Sequence, residues 1–362
     1  MSGKDLKVAW RSLPGRRLLV AVMVVIALAG CGTEQSRAER SAAGETHGMT
    51  AKPPPAPEPA RSPLPKEKPA GRVITLGSSP EGVVADPVTG LVAVGLPNPD
   101  RLALVDGDSG KVVGRVTLPE SPRHLGLARS GGPVLVPAER SNSLVRIGLP
   151  DGKVLSETPV GKFPHGVASA PNGRVFVVNE FGNTASVIEG DRVIETLETP
   201  LQPGGVAVTD DGLVGVVGVR GLALEVYDAD TLDSLGRAGA GEGPTHIVAG
   251  SGNRFYVADT RGDAILVYET RPEPEQLARV PLSGSSPYGI AIDNRRDYLW
   301  VTLTAENRLI QLTLDGESPH EVASYPTVRQ PNSVAVDPAS GRVYVAGRTA
   351  GKLQIIDPRP SR

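Results

Sequence analysis

Three of the five histidines in this 362-residue chain stand near the start of units in an internal repeat: His124, His165 and His246. Imidazole titrates near neutrality and is the commonest metal ligand. The three together would suit a metal centre or an acid–base site. A catalytic zinc needs three ligands at about 2.0–2.2 Å and an open fourth position. Their placement argues against one centre, because His124 and His246 belong to the second and fifth units, nearly opposite each other in a ring of seven. His165 also falls one position earlier in its unit than the other two. The third unit offers a more local constellation, with Phe163, His165, Glu180 and Phe181 expected side by side. Two aromatics beside a titratable pair read as a small pocket or a binding hot spot, or simply as cover for the edge of the unit. With Asp259 from the equivalent loop of the fifth unit, the candidate ligand-binding set is His124, His165, Glu180, Phe181, His246 and Asp259.

The elements that must position these residues come from the repeat itself. A proline, a variable residue, a small residue or His, and an apolar pair recur from Pro80-Glu-Gly-Val-Val through Pro164-His-Gly-Val-Ala to Pro331-Asn-Ser-Val-Ala. The seven prolines are spaced by 42, 42, 39, 41, 43 and 44 residues, a period expected of four-stranded propeller blades. The third unit reads as short strands over 166–170, 174–179, 185–189 and 192–197, separated by Gly, Asn, Asp and Pro turns. That spacing leaves no room for helices. The last unit ends one strand short, and Arg72-Val-Ile-Thr-Leu76 precedes the first unit. Pairing the two would close the ring and remove its exposed edges. The expected fold is all-β, a seven-bladed propeller over residues 71–358. In it the Pro-x-x segments and the loops after each second strand share the mouth of the central channel.

The wording of the repeats, Phe176-Val-Val-Asn-Glu with Ala185-Ser-Val-Ile-Glu and Tyr344-Val-Ala-Gly with Gln354-Ile-Ile-Asp, resembles the YVTN-repeat, YncE-like propellers. The likeness implies the fold over 72–357 and leaves activity open, since propellers host catalysts, binders and scaffolds. The Gly-Pro-x-x-Ile/Val-Ala pattern is also similar to that of virginiamycin B lyases. The Glu-x-His acid–base pair of that family is absent from every blade; such spacing occurs only at Glu45-Thr-His47. Asp106-Gly-Asp108-Ser-Gly110 has the start of a calcium loop, but Thr117 stands where the twelfth-position glutamate would be, so a Gly/Asp turn explains it better.

The N-terminus reads as an address. Lys4, Lys7, Arg11, Arg16 and Arg17 precede a small and apolar run from Leu18 to Gly30. That run is too short to span a bilayer and of the size of a signal-peptide core. It ends in Leu28-Ala29-Gly30-Cys31, which resembles the lipobox of bacterial lipoproteins. The resemblance implies cleavage after residue 30, a diacylglycerol on the Cys31 thiol and a place on the extracytoplasmic side of the cell membrane. Residues 31–70 are polar and Pro-rich, as in Lys52-Pro-Pro-Pro-Ala-Pro-Glu-Pro, and read as a disordered tether with polyproline II stretches.

Composition bounds the rest. A net charge of −2 provides no electrostatic footprint for nucleic acid. Aromatics at 4% argue against a stacked-ring surface. The single Cys excludes a disulfide framework. The expectation is an anchored propeller binding a protein partner or small ligand at the channel face, without catalysis and with no cofactor. The alternative is a metal-assisted lyase or lactone hydrolase using the channel-mouth histidines with a divalent metal.

Overall fold

The computed structural model describes residues 53–358 except Ser78 and Glu317. The expected signal peptide, Cys31 and the first part of the tether lie outside the described residues. Among those described, the chain forms seven four-stranded antiparallel sheets, the seven-bladed β-propeller that the repeat predicts. Blade 3 shows the pattern, with strands Pro164–Ser169, Val175–Asn179, Thr184–Glu189 and Arg192–Glu198. The first strands of consecutive blades are neighbours, and that of blade 7 (Pro331–Val336) lies beside that of blade 1 (Val83–Ala85). Strand Arg72–Thr75 pairs antiparallel with Lys352–Ile356, from Arg72 opposite Ile355 to Thr75 opposite Lys352. The N-terminal strand thus completes blade 7 and closes the ring.

The core lies between blades. Successive side chains on a strand point to opposite faces, so each middle strand feeds two layers. Phe176 and Val178 pack with Val206, Val214 and Val216 of blade 4. Val175 and Val177, one residue out of phase, pack with Leu135 and Leu144 of blade 2. Burial on both faces is why the middle strands read as unbroken apolar runs. Trp300 of blade 6 is fully buried against Val334 and Val343 of blade 7. The outermost strands are half exposed, as in the alternating burial of Val112–Thr117.

A latch absent from the sequence reading joins successive blades. Asn142, Asn183, Asp263 and Asn307 each adopt a left-handed backbone, φ between 49° and 55°, a conformation that Asn and Asp tolerate better than other non-glycine residues. Each side chain accepts the backbone N–H of the residue before the next blade's opening proline. The pairs are Phe163 to Asn142 (2.9 Å), Gln202 to Asn183 (2.9 Å), Ser286 to Asp263 (2.8 Å) and Gln330 to Asn307 (3.1 Å). Blade 4 carries Leu222 at this position. There Asp259 substitutes, accepting the Gly243 N–H at 2.7 Å.

The expected disordered tether through residue 70 differs from the structure from Pro53 onward. Residues 53–65 run extended over the faces of blades 4 to 7 before the chain enters the closing strand. The physical reason lies in what proline leaves unpaired. An extended Pro-rich segment has few N–H groups but many free carbonyls, and arginines and amides on the channel face take them up.

Candidate functional site at the channel mouth

The opening prolines place the residues after them at the inner rim, and the loops after the second strands add charged side chains. Arg123 lies 2.8 Å from Glu139 and 3.4 Å from Glu81, and Arg348 lies 3.1 Å from Glu81. His165 Nδ1 is 2.8 Å from Glu180 Oε2, and Gln202 donates to Glu180 Oε1 at 2.7 Å. Each of these three carboxylates therefore has a cationic, imidazole or amide partner, one set joining blades 7, 1 and 2 and the other blades 3 and 4.

Burial acts on these groups unequally. For Glu180 it favours the neutral acid, but the bond and charge of His165 and the Gln202 amide outweigh it, so its carboxyl sits below the ordinary value. Burial wins at Glu139 and raises its pKa against the opposing charge of Arg123. Arg123 is held more firmly protonated, because Glu81 and Glu139 outweigh its own desolvation.

The three channel histidines meet, which corrects the expectation that blades 2 and 5 hold theirs apart. The His124 ring lies 4.9 Å from His165 and 4.4 Å, edge-on, from His246, centroid to centroid. His124 Nε2 and His246 Nε2 are 3.0 Å apart. The reason is the bore. Gly82, Gly166, Gly204, Gly205 and Gly289 line a cavity of about 170 Å³, and with so little side chain around it two imidazoles reach across. At Gly82 a Cβ would stand 2.1 Å from the Arg123 carbonyl oxygen. Burial, with the neighbouring histidines and Arg123 adding to it, depresses both rings: His124 falls well below the ordinary value and His246 to about 3. Two neutral imidazoles hydrogen-bond when one supplies the Nε2–H and the other the Nε2 lone pair.

The candidates thus divide. His165 and Glu180 pair directly, and Phe163 and Phe181 pack with ring centroids 4.8 Å apart beside them. Phe181 remains 49% exposed. Asp259 does different work from that expected. It is 1% exposed, and its carboxylate accepts the N–H groups of Glu242, Gly243 and Gly262, so it ties two loops together. As metal ligands, Glu139, His165 and Glu180 bring their ligand atoms within 4.8 Å of one another. Arg123 already supplies a positive charge to Glu139 there. Sequence reading missed Gln202 and Gln330, the residues before two opening prolines, because it began each unit at its proline.

No protein-family model matches the chain, and no curated protein matches it. Among solved structures it is similar to hydrazine synthase of Kuenenia stuttgartiensis, with a TM-score of 0.68 and 17% identity over 83% of this chain and 98% of that one. It is also similar to virginiamycin B lyase of Staphylococcus aureus, with a TM-score of 0.65 and 18% identity over 79% and 98%. A further similarity is to a chain of the mitotic checkpoint complex, with a TM-score of 0.69 and 13% identity over 83% and 95%. At such identities the likeness defines the fold alone, a seven-bladed propeller.

Proposed function

We propose that the protein is an extracytoplasmic lipoprotein, anchored through Cys31, whose propeller binds a protein partner or small ligand at the channel face without turning it over. One observation carries the binding reading. Pro53–Ala56, Gln202 and Arg220 bound an open groove of about 600 Å³, next to the paired network of Glu180 and His165. A recess with an apolar proline wall, an amide and a guanidinium has the make-up of a ligand seat. The neighbouring charges are fixed by one another, which suits recognition.

Two experiments test this. Cys31→Ser should release the protein from the membrane fraction or leave an uncleaved precursor; an unchanged lipid-modified product refutes the anchor. A photocrosslinking residue placed at Phe181 should give discrete adducts in cells, while one at Val113, 58% exposed on an outer strand, should not. Equal labelling at the two positions, or none at Phe181, overturns the binding seat.

The second reading is a metal-assisted lyase or lactone hydrolase. It draws on the Glu139, His165 and Glu180 grouping and on a fold shared with a lyase. Calorimetric titration with zinc and manganese decides it: stoichiometric binding lost in His165→Ala supports it, and no heat of binding removes it.

A further inference from the structure

The segment over blades 4 to 7 is held through its main chain. Arg220 donates to the carbonyls of Pro54 (2.9 Å) and Pro53 (3.4 Å), and Arg261 to that of Pro55 (2.8 Å). Gln330 Nε2 takes the carbonyl of Ala60 (2.9 Å), Arg329 that of Ser62 (3.1 Å) and Asn307 that of Pro63 (2.9 Å). In return the N–H of Ala60 reaches Ser286 Oγ (3.1 Å) and that of Ser62 reaches Gln330 Oε1 (2.9 Å). These donors come from loops of four blades, set to the spacing of one extended strand. Only two side chains of the segment are sunk. Pro57 is buried over Gly243, where a Cβ would stand 3.0 Å from it. Ser62 is 2% exposed, with its hydroxyl on the Thr304 carbonyl.

We propose that this half of the channel face is a recognition surface for extended, proline-rich peptide. Its resident occupant is the chain's own segment 53–65, and a proline-rich segment of a partner protein can displace it. The chemistry defines the partner. It must present unpaired carbonyls at polyproline II spacing, about 3.1 Å per residue. It needs a proline for the Gly243 seat and a small hydroxyl residue five positions on; elsewhere the contacts read backbone and tolerate other side chains. Polyproline II segments suit such recognition because they have little conformational freedom left to lose. A resident occupant also sets a threshold, since a segment tethered in cis competes at an effective concentration in the millimolar range. This surface shares Arg220 and Pro53–Ala56 with the groove proposed as the binding seat. Crosslinking at Phe181 tests the seat and peptide affinity of the strap variant tests this proposal, so the two failures are distinguishable.

The test uses the full chain and a fluorescent synthetic peptide with the sequence of residues 53–66. In a strap variant, Pro57→Asp with Ser62→Asp, trypsin should cut rapidly after Arg61, and the peptide should bind at least about tenfold more tightly than to the wild type. Adding Asn307→Ala and Gln330→Ala should abolish that binding, as should a peptide carrying aspartate in place of Ser62. Equal affinity for wild type and strap variant, binding that survives loss of Asn307 and Gln330, or an Arg61 bond that stays protected in the strap variant each overturns the proposal.

Discussion

His165 Nδ1 and Glu180 Oε2 lie 2.8 Å apart, joining the first strand of blade 3 to the loop after its second strand, with both side chains largely shielded from water. The Glu180 carboxyl is depressed below its ordinary value of 4.5. A carboxyl with a lowered folded-state pKa contributes stability that is complete above the unfolded value and fades as pH falls through the folded one. Glu180→Gln should therefore cost about 1–2 kcal/mol at pH 7, read as a lower melting temperature. The gap to wild type should narrow as pH drops below 4.5; a gap independent of pH would show that the charge contributes nothing.

The central histidine pair has the opposite ionic character and the same dependence on acid. His246 takes up its proton only near pH 3 in the folded ring, against 6.5 ordinarily. Between those values the unfolded chain binds a proton that the folded chain does not, so stability falls as pH is lowered. His246→Gln should flatten the decline in unfolding free energy between pH 7 and pH 5 by an amount on the order of 1–2 kcal/mol, read from denaturant titrations at the two pH values. Parallel wild-type and variant curves would contradict the neutral pair.

The latch makes a prediction that separates backbone strain from bonding. Asn183 holds φ at 55° and accepts the Gln202 N–H. Asn183→Ala loses the acceptor and keeps the strain; Asn183→Gly loses the acceptor and relieves the strain. Alanine should cost about 2 kcal/mol and glycine about 1 kcal/mol in denaturant titrations. Equal costs would mean that the left-handed backbone adds nothing.

The hold on the segment can be read by proteolysis. Ser62 has its N–H on Gln330 Oε1, which makes the Arg61–Ser62 bond a poor trypsin substrate in the native fold. Gln330→Ala removes that acceptor and the donor to Ala60, and cleavage after Arg61 should accelerate several-fold while the melting temperature of the ring changes little. An unchanged cleavage rate would mean that other contacts suffice.

How much of this was legible in sequence follows from the range of each interaction. The blades were readable because strand, turn and strand are local, and because each Pro-x-x segment repeats the same entry at Pro164, Pro203 or Pro331. Ring closure was readable because Arg72–Leu76 was the spare strand for a blade one strand short. The meeting of His124 with His246 was not. It depends on glycines in other blades that narrow the bore, and distance across a channel has no local signature. The docked segment was hidden for a similar reason. Its few apolar residues suggested disorder, while its partners Arg220, Asn307 and Gln330 lie 166 to 270 residues away. The structural bonds of Asp259 have no local signature either, because its three N–H partners are brought together only by the folded loops.

The continuity of segment 53–65 with the ring-closing strand has a mechanical consequence. Tension applied at Pro53 travels along the segment toward Arg72. The carbonyl bonds to Arg220, Arg261, Gln330, Arg329 and Asn307 stand before the closing strand on that path. A pull at Pro53 is then resisted across four blades before it can peel Arg72–Thr75 from Lys352–Ile356 and open the propeller.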